Sequence, residues 1–312
     1  MDNLIVSMNA VLPLMLCMAA GYFFQRIGLG DPGFYSMCNK LCFKTFLPIM
    51  IFINIYDSSL DAASDPWFFV YALLGILAVF LICMFLIPKM VKEDGRRAVL
   101  IQGIFRSNYV LFGVPVAVNL YGSENSAPAA LLAAAAIPMF NVLAVIALEY
   151  YSPTKKGLKS VLVGIAKNPL IWGALLGLLA KAVDLHLPAG IYKGIADMGK
   201  MASPLALVAL GATFKFTAVR KNLPYLTIGV IGRIAAVPLL LLPLAVLLGF
   251  RDVQLASLLI LFASPTAVSS YTMAAAYGHD SELAGQQVVF TSICSLFSVF
   301  LWIWIFKMLM LI

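Results

Sequence analysis

Two stretches decide the fold: RSNYVLFGVPVAVNLYG at 106–122 and ASPTAVSSYTMAAAYG at 263–278. Each is apolar enough for a membrane, yet each is broken at its centre. The first carries Asn108, Gly113 and Pro115; the second carries Pro265 among Ser264, Thr266, Ser269 and Ser270. A proline removes one backbone donor and clashes with the preceding helical turn. The freed N–H and C=O groups must face protein, water or ligand, never lipid. A half-helix N-terminus adds free N–H groups and about half a positive charge, which suits an anion. One such proline alone reads as a kink. A matched pair with clustered polar side chains reads as a binding site near mid-membrane.

Working outward, 62% of the 312 residues are hydrophobic and 11% are charged. Soluble domains hold about 25% charged residues, so a soluble enzyme, a disordered chain and a disulfide-stapled module are excluded. Apolar runs divided at polar breaks predict ten spans, near 4–26, 34–57, 66–88, 95–121, 126–151, 160–182, 190–216, 222–249, 252–277 and 282–309. A span needs about 20 apolar residues, so ten occupy most of the chain. The first 24 residues lack a basic start and a cleavage site and read as the first span. The five cysteines lack accompanying ligands, so they read as apolar thiols, and no metal or other cofactor is expected.

The net charge of +7 follows topology rather than nucleic acid. With the N-terminus outside, inner loops collect Arg26, Lys89, Lys92, Arg96, Arg97, Lys155, Lys156, Lys159, Lys167, Lys215, Arg220 and Lys221. The outer side keeps Lys181, Lys193, Arg251 and Lys307. This bias predicts both termini outside.

The chain also resembles itself at an offset of 156: Pro13 meets Pro169, Pro32 meets Pro188, Pro48 meets Pro204, Gly21 meets Gly177 and Lys44 meets Lys200. With 16 prolines, chance gives about 0.4 proline pairs at one offset, and three occur. Two five-span halves have opposite orientations because five is odd. The expectation is an inverted repeat, 1–151 and 160–312, joined by a short inner linker at 152–159.

The chain resembles the auxin efflux carrier family, whose bacterial members include permeases for malate and malonate. Four stretches carry the resemblance: NKLCFKTFLPIMIF (39–52), SNYVLFGVPVAVNLYG (107–122), GKMASPLALVALGATF (199–214) and SPTAVSSYTMAAAYGHDSELA (264–284). The family implies an all-α membrane protein in which spans four and nine cross at their breaks. It implies a scaffold of spans one, two, six and seven, often dimeric, and a mobile bundle from the rest, moving as an elevator. Asn108, Gly113 and Pro115 match its first crossover motif, and Pro265 with its neighbours matches the second. The short linker fits the compact bacterial type and an inner (plasma) membrane location. Arg106 and Tyr109 depart from the family pattern, where small residues are usual.

Arg106 stands one turn before the break, where it either pairs with a substrate carboxylate or serves structure. Lys44 and Lys200 occupy matched positions and are either functional intramembrane charges or snorkelling lysines. Asp197 is spaced to pair with Lys200. Arg233, mid-span, is either an ion-paired core residue or part of the pathway. None of the 14 acidic residues falls inside either crossover, so the site is anion-like. The coupling ion stays open between proton and sodium.

Rival functions are weighed on motifs. No HExxH or GxSxG is present, and His186 and His279 sit at span ends, which excludes the usual membrane enzymes. A channel needs a polar stripe; LLAAAAIPMFNVLAVIALEYY (131–151) offers only Asn141 and Pro138. An anion sensor on the same fold needs an output domain, and none is read here. The expectation is a secondary carrier for mono- or dicarboxylates, with Asn108, the hydroxyls and half-helix N-termini binding the anion.

Overall fold

The computed structural model describes residues 2–57, 65–109, 127–152, 163–164 and 166–312. The secondary structure among them is helical, in eleven helices. These are α1 (Asp2–Arg26), α2 (Pro32–Tyr56), α3 (Pro66–Met90), α4 (Asp94–Phe105), α5 (Ala127–Tyr150), α6 (Pro169–Ala182), α7 (Ala189–Thr213), α8 (Phe216–Leu247), α9 (Asp252–Ala263), α10 (Ser269–Ala276) and α11 (Ser281–Met308). Six are long and apolar enough to cross a membrane alone: α2, α3, α7, α8, α11 and most of α5. The predicted spans near 34–57, 66–88, 126–151, 190–216, 222–249 and 282–309 fall on these six, the one near 252–277 divides into α9 and α10, and α4 covers only the first part of the one near 95–121, whose residues 110–121 lie outside the described residues. α8 starts at Phe216 rather than near 222, because its basic first turns are solvated while the backbone stays helical. Gly113, Pro115 and the linker 153–159 lie outside the described residues.

Sequence dictates where the helices are interrupted. α2 widens into a π-helical turn at Cys42–Phe46, and α8 does so at Gly232–Ala236. Pro48 and Pro238 follow within two residues. α7 hesitates at Met201, three residues before Pro204. In each case the proline withholds an N–H, and the preceding turn loosens.

Two groups of helices emerge from the packing. α1 lies along the second half of α7, α6 lies along the second half of α2, and α2 touches α7. These seams need glycine. A Cβ at Gly21 would collide with the Val208 carbonyl, and one at Gly177 would stand 3.0 Å from the Phe52 carbonyl oxygen. Both members of one pair are displaced by 156 positions from the other. The remaining helices gather around α4, α9 and α11, and their contact with the first group includes α1 against α11.

The loops sort to two ends. At one, Arg96 pairs with Asp280 at 3.1 Å, Tyr225 donates to Glu93 at 3.4 Å, and His279 Nε2 lies 2.8 Å from the Leu148 carbonyl. At the other, Tyr192 donates to Asp57 at 2.9 Å, the Leu187 N–H donates to Tyr56 at 3.1 Å, and the Asp252 N–H donates to the Leu311 carbonyl at 2.9 Å.

Candidate functional site

α4 and α9 both end inside the protein, at Phe105 and Ala263. Beyond these ends the chains run extended and cross antiparallel, with Ser107 opposite Thr266. The Asn108 N–H donates to the Pro265 carbonyl at 2.9 Å, and the Ala267 N–H donates to the Arg106 carbonyl at 3.2 Å. Two interrupted helices thus satisfy each other's backbone with a minimal sheet. Pro265 suits this crossing because it supplies a carbonyl and needs no donor partner.

The last carbonyls of a helix have no partner within it. At α4 the Gln102 carbonyl receives the Arg106 N–H at 3.0 Å, and the Gly103 carbonyl receives the Thr266 hydroxyl at 2.7 Å. The Ile104 and Phe105 carbonyls receive Arg233 Nη1 at 3.1 and 3.4 Å. Arg233 also reaches α9, donating Nη2 to Leu261 at 2.9 Å and Nε to the Ser264 carbonyl at 2.6 Å. Arg233 is 1% exposed and rises from the π-helical turn of α8. Among the described residues no acid pairs with Arg233. Its acceptors are backbone carbonyls, which leave no trace in the sequence.

Arg106 is different. It is 4% exposed and donates to Asn141 Oδ1 at 2.5 Å and to Met273 Sδ at 2.6 Å. A thioether is a weak acceptor. Among the described residues neither buried arginine has a carboxylate partner. Arg106, Ser107, Asn141 and Ser269 line a small cavity of about 40 Å³, whose far wall is Met50 of α2 and Leu170 of α6. The cavity therefore lies between the crossing and the first helix group. Asn141 is held by its own helix, through a 2.9 Å bond from Nδ2 to the Ile137 carbonyl.

The other predicted residues divide. Asn108, Ser264, Thr266 and Ser270 are buried within the crossing. Among the described residues, Asn108 Nδ2 and the hydroxyls of Ser107, Ser264 and Ser270 have no hydrogen-bond partner. Thr266 is committed to Gly103. Tyr109 turns away and donates to the Ala129 carbonyl at 3.1 Å. The half-helix N-terminus here is that of α10 at Ser269, four residues beyond Pro265, while helix C-termini arrive at Phe105 and Ala263. Sequence reasoning missed Ser107 and Asn141 as site residues. Asn141 was visible as the lone amide in an alanine-rich span, but its partner lies 35 residues away.

Lys44, Asp197 and Lys200 are not at the crossing. Lys44 sits exposed at the middle of the 25-residue α2. Lys200 sits near the middle of α7, paired with Asp197 at 3.2 Å, with side chains 77% and 54% exposed.

A second, open pocket of about 450 Å³ reaches toward the crossing from the end that holds Arg96 and Asp280. Asn39, Thr213 and Lys215 line one side, and Tyr271, Glu282 and Gln286 line the other. Tyr271 and Thr213 share a 2.8 Å hydrogen bond across it.

The profile of the family described as Membrane transport protein matches residues 6–303. An uncharacterized transporter of Methanothermobacter thermautotrophicus is 23% identical over 308 residues, which cover 95% of this chain and 97% of that protein. Long apolar helices, a pair of interrupted helices and a match over nearly the whole length make this chain a multi-pass membrane transport protein, not an enzyme, and a member of the auxin efflux carrier (Membrane transport protein) family.

Proposed function

We propose that this protein is a secondary carrier of small organic anions, of the size and charge of malate or malonate. The observation that carries the reading is Arg106, a buried guanidinium without a carboxylate partner among the described residues, lining a cavity between the crossing and the first helix group. A buried cation held, among the described residues, by an amide and a thioether is electrostatically incomplete, and a substrate carboxylate completes it in bidentate fashion. Ser107, Ser269, Asn108 and Asn141 are the amide and hydroxyl groups at hand to orient the anion.

The mechanism we infer is an elevator. Helices α1, α2, α6 and α7 form the scaffold, glycine-seamed and rigid. The bundle around α4 and α9 carries the site past it, and the open pocket is the inner access route. The repeat 1–151 and 160–312 supplies two-sided access by pseudo-symmetry, supported by the displaced Gly21 and Gly177 seams. The positive-inside bias supports both termini outside an inner (plasma) membrane. Exposed charge at the middle of α2 and α7 cannot face lipid, which supports a homodimer through the scaffold.

The test is substrate-induced current from proteoliposomes on a solid-supported membrane, with isotope uptake beside it. Malate or malonate should give a saturable signal. Arg106→Gln should lose it by more than about tenfold while keeping expression and melting temperature. An undiminished signal in Arg106→Gln removes Arg106 from the site. Saturable binding with neither current nor uptake would make the protein an anion sensor.

A further inference from the structure

We propose that Arg233 is a built-in cation that takes the place of a coupling ion at the crossing. Carriers with broken helices commonly hold sodium with the carbonyls at half-helix C-terminal ends. Here two such ends converge, from α4 and α9, and each helix C-terminus carries about half a negative charge. Together they call for about one positive charge, and the guanidinium supplies it. Four of its five N–H donors are spent on the carbonyls of Ile104, Phe105, Leu261 and Ser264. Every carbonyl of this set already accepts a hydrogen bond from the guanidinium, and none of the 14 acidic residues belongs to the crossing stretches.

The two buried arginines therefore divide the work. Arg233 has its charge answered by backbone and offers nothing to substrate. Arg106 has its charge answered weakly and is available to an anion. Arg233 is a positioning residue: it fixes both extended segments, and thereby Arg106 and Ser107, from behind. The consequence is that substrate movement proceeds without sodium at the crossing. This rests on the carrier reading above, but the cation can be tested without transport.

The experiment measures thermal unfolding of the purified protein in detergent, in sodium chloride and in choline chloride at equal ionic strength. Wild type should melt at the same temperature in both. Arg233→Ala frees four carbonyls, so it should melt lower in choline and recover part of the loss with sodium or methylguanidinium. Arg233→Lys keeps a cation and should lie between Arg233→Ala and wild type. Where carboxylate uptake is measurable, wild type should be indifferent to sodium. Arg233→Ala should fall more than about tenfold in choline and recover with methylguanidinium. A saturable sodium-dependent rise in wild-type stability or uptake overturns the proposal, as does an Arg233→Ala protein that matches wild type in choline. Should Arg233→Ala not fold, the wild-type sodium titration and Arg233→Lys still decide. Absent uptake with the expected melting pattern would fault the choice of substrate and leave the built-in cation supported.

Discussion

At the residue scale, neighbours set what each polar group can do. His279 shows this outside the spans. Its Nε2 meets the Leu148 carbonyl, its Nδ1 has no hydrogen-bond partner among the described residues, and burial holds its pKa below the ordinary imidazole value. The depressed value means that the unfolded chain takes up this proton first as pH falls. Stability is therefore present above about pH 6.5 and declines below it, by up to about 1.4 kcal/mol per pH unit. The melting temperature should drop between pH 7.5 and 5.5, and His279→Gln should lose a smaller share over the same interval. An equal drop in both proteins would show that His279 does not contribute. A second residue-scale expectation concerns Asn141, which orients Arg106. Asn141→Leu should weaken malate or malonate binding several-fold in a titration, because the guanidinium loses its best neutral acceptor.

At the scale of elements, hydropathy made the helices legible, since a span announces itself by length and apolarity. The break at Pro265 was legible too, because proline acts on the backbone locally, whereas α4 already ends at Phe105 and Gly113 and Pro115 lie outside the described residues. What stayed hidden was how the breaks are closed. Carbonyls of Ile104, Phe105, Leu261 and Ser264 carry no side-chain signature, so nothing in the sequence tied Arg233 to them. Likewise Lys44 and Lys200 gave matched positions but not their direction, which depends on how α2 and α7 are rolled against their neighbours. The glycine seams yield a prediction at this scale. Gly21→Ala forces α1 off α7 against backbone rather than against a flexible side chain. It should cost about 1–3 kcal/mol, read as a lower melting temperature in detergent. A melting temperature equal to wild type would mean that α1 is not clamped there.

At the scale of the whole molecule, charge bears on the proposed orientation and association. Exposed Lys44 and the Asp197–Lys200 pair stand at helix midpoints, where a lipid-facing charge costs about 2.5–3.5 kcal/mol or more. Light scattering in mild detergent should report a dimer. Asp197→Leu with Lys200→Leu should change the monomer–dimer balance if these residues meet a second copy. A monomer at every concentration would count against the scaffold interface. Orientation is checked by a C-terminal alkaline phosphatase fusion, which should be active, and a green fluorescent fusion, which should be dark.

The cavity beside Arg106 has a thermodynamic consequence of its own. About 40 Å³ holds a few waters at most, an order of magnitude below an ordinary small-ligand site. On the carrier reading, a dicarboxylate therefore binds a population whose walls have parted further than these. Apparent affinity is the intrinsic affinity diluted by that population. Shaving the wall with Leu170→Ala would raise the fraction of receptive molecules and tighten apparent binding without adding one contact to the ligand. An antibody fragment that clamps the bundle to the scaffold would do the reverse, as an inhibitor that never competes for the site.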